Sequence, residues 1–280
     1  MGSIAFKNII EHLKLQSAAK WSLIVLIVFF IACALAFLSP FDPNLGIVKE
    51  RYISPNTTHW FGTDKYGRDY FTRALYGGRI SLLVGFLSML ISVSLGTLIG
   101  TLAGYFSGII DSILMRLVDA LLSIPSFFLM LLLNAYLKPS IMTVIIIIGA
   151  LSWMNIARLI RAETLTLKER EYVLYAKASG QSAMMIILKH IIPNVFPTMI
   201  VAATISIAGA IMMESALSFL GLGVQAPNAS WGSMLNDARS DINRAPYLGL
   251  FPGMLILLTV LSFNMLGDLL RQAFDPKTRS

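Results

Sequence analysis

Chemistry in a chain of 280 residues needs nucleophiles, acids, bases or metal ligands brought within reach of one another. The three histidines, His12, His59 and His190, stand in three separate segments, and Cys33 is the single cysteine. No His-Glu-x-x-His pattern and no cysteine pair occurs, so these residues spell no metal site and no redox pair. Gly62-x-x-x-x-Gly67-Arg68-Asp69 has the outline of a phosphate-binding loop. It lacks the Lys-Ser/Thr pair that such a loop uses, and no buried strand precedes it. The reading is a chain with no catalytic residue, no cofactor and no energy source of its own. Two acids, Asp119 and Glu214, fall in apolar surroundings. An isolated charge there costs about 2.5–3.5 kcal/mol on insertion scales, so each must face protein or water. Arg116 stands three residues before Asp119 and reads as its ion-pair partner on one helix. Glu214 has no local partner, which leaves two roles open: a helix-to-helix hydrogen bond, or the lining of a polar path.

The elements that must position these residues follow from composition. Apolar residues make up 56% and charged residues 13%, against roughly 45–50% and about 25% in soluble domains. So few charges cannot clothe a soluble surface, and a lone cysteine excludes a disulfide scaffold. The net charge is +7. No Lys/Arg-rich run with interleaved aromatics accompanies it, so nucleic acid is not the partner; cationic loops that orient helices in a lipid bilayer are. Six stretches, 21–38, 80–104, 116–137, 139–157, 198–220 and 248–268, hold the roughly 20 apolar residues that a crossing requires. The fold class is an all-α polytopic membrane protein with six transmembrane helices. The first stretch is preceded by about twenty residues and reads as an uncleaved helix, not a signal peptide. Pro125 should kink the third helix. Gly96, Gly100, Gly104 and Gly108 form a smooth helical face, for close packing or for sliding.

Six crossings put both termini on one side. With the N-terminus inside, the inner parts carry Lys7, Lys14, Lys20, Arg116, Arg158, Arg161, Lys168, Arg170, Lys177, Lys189, Arg271, Lys277 and Arg279. The remaining nine of the 22 cations lie outside, six of them in the long 39–79 loop. The bias supports cytoplasmic termini. The 158–197 segment is cationic and nearly forty residues long. It reads as a helix from Arg158 to Ser179, a break at Gly180, and a short helix from Ser182 to Ile191 closed by Pro193. Met184, Ile187, Leu188 and Ile191 recur at helical spacing, an apolar face suited to lipid, to the bundle or to a groove on a partner.

Tyr175-Ala176-x-x-x-Gly180 followed by Ile192-Pro193 resembles the cytoplasmic loop of ABC importer permeases, Glu-Ala-Ala-x3-Gly-x9-Ile-x-Leu-Pro. Leu174 stands where that pattern has Glu, and His190 where it has Ile. Further blocks resemble the dipeptide/oligopeptide/nickel permeases, in particular the second subunit of the permease pair. These are His59-Trp60-Phe61-Gly62-Thr63-Asp64, Gly78-Arg79-Ile80-Ser81-Leu82, Lys189-His190-Ile191-Ile192-Pro193-Asn194, Ser218-Phe219-Leu220-Gly221-Leu222-Gly223 with Trp231-Gly232, and Phe263-Asn264 with Gly267-Asp268. Leu174, Ser179 and Asn236-Asp237-Ala238-Arg239 are similar to nickel-type members.

The resemblance implies a prokaryotic cell-membrane permease of the type I kind. Residues 1–79 would form a tail, the first helix and an outer loop, and 80–280 the core domain. The chain would share a translocation path with a second homologous permease. Two ATPase subunits, holding ATP and Mg, would dock from inside, and an extracellular binding protein would deliver short peptides or, alternatively, nickel or a metal chelate. The helix after Gly180 would couple to the ATPase through Tyr175, Ala176, Gly180, Met184, Ile187, Leu188, His190 and Pro193, with Glu171 as a substitute for the missing Glu. The polar 39–79 and 224–247 segments, with Trp231, Asp237, Arg239, Asp241 and Arg244, would meet the binding protein. A reading of another class, a secondary transporter or channel, needs ionisable residues along the bundle, and only Asp119 and Glu214 were available for it.

Overall fold

The computed structural model describes residues 17–274; Lys7, His12, Lys14, Lys277 and Arg279 lie outside them. Within hydrocarbon every backbone N–H and C=O must find a partner in the protein, and a helix supplies these internally. The apolar runs accordingly fold as α1 (Ser17–Ala34), α2 (Tyr70–Phe106), α3 (Gly108–Leu122), α4 (Ser126–Tyr136), α5 (Ile141–Ser152) and α6 (Met154–Leu167). They are followed by α7 (Glu171–Ala178), α8 (Ala183–Ile186), α9 (Ile192–Phe219), α10 (Trp231–Ala238) and α11 (Tyr247–Phe274), with no strand among the described residues. Spans 17–34, 70–106, 141–167, 183–219 and 247–274 are each long and apolar enough to cross a membrane.

The sixth crossing is the bent pair α3–α4, which meets at 76°. Its direction follows from its neighbours. Ser88 of α2 bonds the Ile145 carbonyl, Gly96 abuts Ile156, and Gly104 abuts Thr164. Both numbers rise together, so α2 and α5–α6 run parallel, and α3–α4 must carry the chain back across between them. Ser81 of α2 bonds Glu214 while Gly85 abuts Ile211, so α9 runs antiparallel to α2. Residues 17, 106, 167, 192 and 274 therefore share one side, called inner here because the excess of cations lies there. The expected kink falls at Pro125, which has no N–H to continue the helix from α3.

Three boundaries differ from the sequence reading. Helix α2 starts at Tyr70, not at residue 80, because Asp69 caps it: the Thr72 N–H donates to Asp69 Oδ1 at 2.7 Å. The charges that ended the predicted span are absorbed. Arg79 donates to the Cys33 and Ala34 carbonyls at the end of α1, and Arg73 is buried, donating to the Pro43 carbonyl. The 79/80 division thus falls inside a helix. Second, no helix runs unbroken from Arg158 to Ser179: α6 ends at Leu167 and α7 begins at Glu171. Lys168 Nζ reaches Ser107 at the end of α2, and Arg170 is extended. Third, Pro193 does not close the short helix. A π turn over Ile187–Ile191 joins α8 to α9, and Pro193 sits in the first turn of α9, directly after the π turn.

The glycine face proves to be a packing seam. A Cβ at Gly96 would stand 2.7 Å from Ile156 Cβ, one at Gly100 2.5 Å from the Ala157 carbonyl, and one at Gly104 2.7 Å from Thr164 Cβ. Gly108 leaves the pattern; its φ is +59° at the turn into α3, and a Cβ there would meet open space. Gly100→Ala should lower the thermal unfolding midpoint in detergent. Gly209→Ala, where a Cβ meets open space, should hold or raise it, since alanine favours helix by about 1 kcal/mol over glycine. A stable Gly100→Ala protein would refute the seam. For topology, in a Cys33→Ala background, Thr57→Cys should react with an impermeant thiol reagent from outside and Gln181→Cys only from inside. Outside labelling of Gln181→Cys would invert the assignment.

Candidate functional site

The inner loop between α6 and α9 gathers most of the residues singled out from sequence. Glu171 opens α7 and is exposed, with no cation within 4 Å among the described residues. Helix α7 ends on a left-handed residue, Gly180, at φ +78°. The Gln181 N–H closes a bond to the Ala176 carbonyl at 3.2 Å, the wide bond of a glycine-terminated helix. Ser182 then caps α8 by accepting from the Met185 N–H. His190 Nε2 lies 3.3 Å from Gln181 Oε1, which ties the π turn back to the glycine turn.

Burial divides this loop into an underside and a face. Val173, Ala176, Ile186 and Ile191 are buried against Met89, Val93, Ile156 and Ile160 of the bundle, and Ile187 is buried as well. Tyr172, Leu174, Tyr175, Met184, Met185 and Leu188 are exposed, Tyr175 at 76% and Met184 at 60%. Together they leave an exposed apolar surface at the inner end of the bundle, of the kind that large exposed patches offer to a protein or a lipid surface. Two sequence assignments are corrected here. Ala176 and Ile187 belong to the underside and cannot touch a docked partner, while Met185, Tyr172 and Leu174 join the face. Pro193 is exposed at the start of α9.

The acids resolve differently from one another. Glu214 is fully buried, accepting from Ser81 Oγ at 3.0 Å and Ser218 Oγ at 2.6 Å. It is a helix-to-helix hydrogen-bond hub. Asp119 pairs with Arg158 of α6 at 2.5 Å, not with Arg116, and stands mostly exposed. The phosphate-loop outline is filled from within: Asp64 Oδ1 accepts the N–H groups of Tyr66 and Arg68, and Oδ2 accepts Arg68 Nε at 2.7 Å. His59 is buried with Nδ1 2.9 Å from Asp69 Oδ2.

On the outer face, Trp231 is 1% exposed and therefore no surface contact. Its N–H donates to Ser81 Oγ and its Nε1–H to the Ala74 carbonyl at 2.9 Å. Arg239 and Arg244 are exposed, the latter lying 4.2 Å over the Tyr52 ring. Asp241 accepts from the Tyr52 hydroxyl, and Asp237 approaches Arg73 at 3.9 Å. These four remain on the rim.

Residues 96–280 match the family described as binding-protein-dependent transport system inner membrane component. The dipeptide transport system permease protein DppC of Bacillus subtilis is 42% identical over 271 residues, covering 96% of this chain and 85% of that protein. The oligopeptide transport system permease protein OppC of Salmonella typhimurium is 43% identical over 268 residues, covering 94% and 88%. The chain belongs to this family of ABC importer permeases. The permease fold is seen again in a solved structure of the MetNI methionine ABC transporter, at TM-score 0.60 and 18% identity, covering 72% of this chain and 97% of that one.

The permease carries two charged features that sequence reasoning missed. Asp111 and Arg161 form a two-bond pair, Nη2 to Oδ2 at 2.6 Å, tying α3 to α6. Glu163 lies on α6 beside an inner cavity. Both were hidden because the segment from 158 onward was read as lying outside the membrane, although α6 completes the span that starts at Ile141. Among the rim and anchor residues, Trp231→Ala should destabilise the permease by about 3–5 kcal/mol, the cost of emptying an aromatic core site. Arg239→Ala should stay within about 0.5 kcal/mol. Thermal unfolding in detergent separates them, and equal midpoints would contradict the buried placement of Trp231.

Proposed function

We propose that this permease is the membrane subunit of an ATP-driven importer of short peptides. It forms the translocation path with a second homologous permease. Two ATPase subunits bind ATP and Mg and dock at the inner loop, and an extracellular binding protein meets the outer rim. The observation that carries the reading is the split loop, an exposed apolar face of Tyr172, Leu174, Tyr175, Met184, Met185 and Leu188 over an underside packed into the bundle. A partner that pushes on the face moves the bundle with it. Peptide cargo is supported by the relatives, named as dipeptide and oligopeptide permeases; nothing in their names favours nickel. A secondary transporter reading loses its two candidates, since Glu214 is enclosed by serines and Asp119 is paired with Arg158.

The mechanics follow from α8, the π turn and α9, which form one helical stretch of 37 residues. At 1.5 Å per residue it is about 55 Å long. Movement of Met184 and Leu188 at its inner end is delivered to Glu214 near its outer end, where Ser81 of α2 is bound. This chain needs no hydrolytic residue for that work. The test is Leu188→Asp together with Tyr175→Ala. The double variant should insert and unfold as the parent does, yet lose co-purification of the ATPase subunits and peptide uptake. Full ATPase binding and full uptake would remove the loop from this role. Ile187→Asp is no substitute, because a charge at that buried position costs enough to unfold the loop.

A further inference from the structure

Near the inner end of the bundle a cavity of about 480 Å³ opens between α6, α9 and α11. That volume falls within the roughly 300–1,000 Å³ of small-ligand sites, as does its make-up of apolar walls with a few convergent polar groups. The polar groups are Glu163, Asn194, Thr198 and Arg271. Glu163 stands four residues before the end of α6, half-buried, with Thr198 in the same cavity wall. Arg271 stands three residues before the end of α11 and is exposed. Pro197, in the same wall, removes one N–H from the ladder of α9.

The two charges are opposite, share one cavity, and do not pair. Neither has an ion-pair partner within 4 Å among the described residues. A structural pair would close this gap, as Arg161, two residues earlier on α6, does with Asp111. Here separate helices hold the charges apart with an apolar-walled space between them. An ionisable residue retained in a membrane span points to function. The ligand that completes such an arrangement has an ammonium at one end, a carboxylate at the other, and a middle whose side chains an apolar wall tolerates. We propose that this cavity binds a short peptide as a zwitterion, Glu163 receiving its amino terminus and Arg271 its carboxylate, at the inner mouth of the path. The proposal rests on the reading that the cargo is short peptides.

The test uses the assembled transporter, with its second permease and ATPases, in phosphatidylcholine nanodiscs without the binding protein. The probe is labelled alanyl-alanine, compared with its N-acetyl form and its C-terminal amide, with free alanine as a competitor. In the unaltered protein each blocked form should bind about tenfold more weakly or worse, the value of one charge-assisted hydrogen bond. Alanine should compete poorly, since it cannot span both charges. Glu163→Gln should erase the difference between free and acetylated peptide, and Arg271→Gln that between acid and amide. Uptake of alanyl-alanine by the same assembly with its binding protein, in proteoliposomes, tests the cargo separately. If uptake is absent, the cargo reading falls and the site with it. If uptake occurs while blocked and free peptides bind alike, or the variants keep both preferences, the site falls and the cargo reading stands. Should a variant fail to assemble, the comparison of blocked and free peptides in the unaltered protein decides.

Discussion

Helices in lipid gain no hydrophobic advantage by meeting one another, so their association depends on how closely backbones can approach. In this permease that approach is concentrated on one helix. Gly96, Gly100 and Gly104 of α2 put no side chain of their own against α6, so Ile156, Ile160 and Thr164 pack directly on the backbone of α2. On another side of the same helix, Gly85 accepts Ile211 of α9, and Gly149 of α5 accepts Ile91 of α2. The position of α6 then fixes where the inner loop emerges. Lys168 is held to Ser107 and Arg161 to Asp111, so the loop is referenced to α2 and α3 within a few ångströms of the seam. A bulkier residue in the seam would displace the inner loop along with the helix.

The outer end is joined by polar groups instead. Glu214 collects Ser81 from α2 and Ser218 from its own helix, and Ser81 in turn accepts the Trp231 N–H that starts α10. Ser218 also accepts the Val224 N–H. Every member is buried, and removing the carboxylate would strand two hydroxyls at about 1–3 kcal/mol each. The arrangement makes the continuous stretch of α8, the π turn and α9 the shared member of two different attachments: apolar at its inner end, through Ile186, Ile191 and Val195, and hydrogen-bonded at its outer end. A long helix tied in this way links the two faces without needing a charge between them.

Composition and local stereochemistry were enough for much of this. The six crossings, the break at Pro125, the glycine packing face and the left-handed Gly180 each follow from properties of single residues or short spacings. What escaped depends on partners distant in the chain. Arg116 is the near neighbour of Asp119, but Arg158, 39 residues on, is the one that reaches it. Arg73 and Arg79 look like the end of a span, yet backbone carbonyls on other segments receive them and α2 runs through. Trp231 sits in a polar, loop-rich stretch that reads as surface; the space beside Gly78 and the Ala74 carbonyl draws it inward.

The inner loop shows most clearly where periodicity stops being informative. Met184, Ile187, Leu188 and Ile191 obey a helical repeat, and a repeat alone assigns them one face. The structure divides them, Met184 and Leu188 outward, Ile187 and Ile191 inward. Residues on α8 are apolar on both sides, one side packed on the bundle and the other exposed. The π turn assists the division. Its Ile192 N–H bonds the Ile187 carbonyl, five residues back, so each turn takes more residues and Ile191 lags behind its α-helical position. That lag moves Ile191 away from Met184 and toward the core. The same extra residue brings His190 to Gln181, beside the glycine turn. A short helix packed on one side and exposed on the other is here apolar on both, and a local change of pitch is what keeps the two apolar sides distinct.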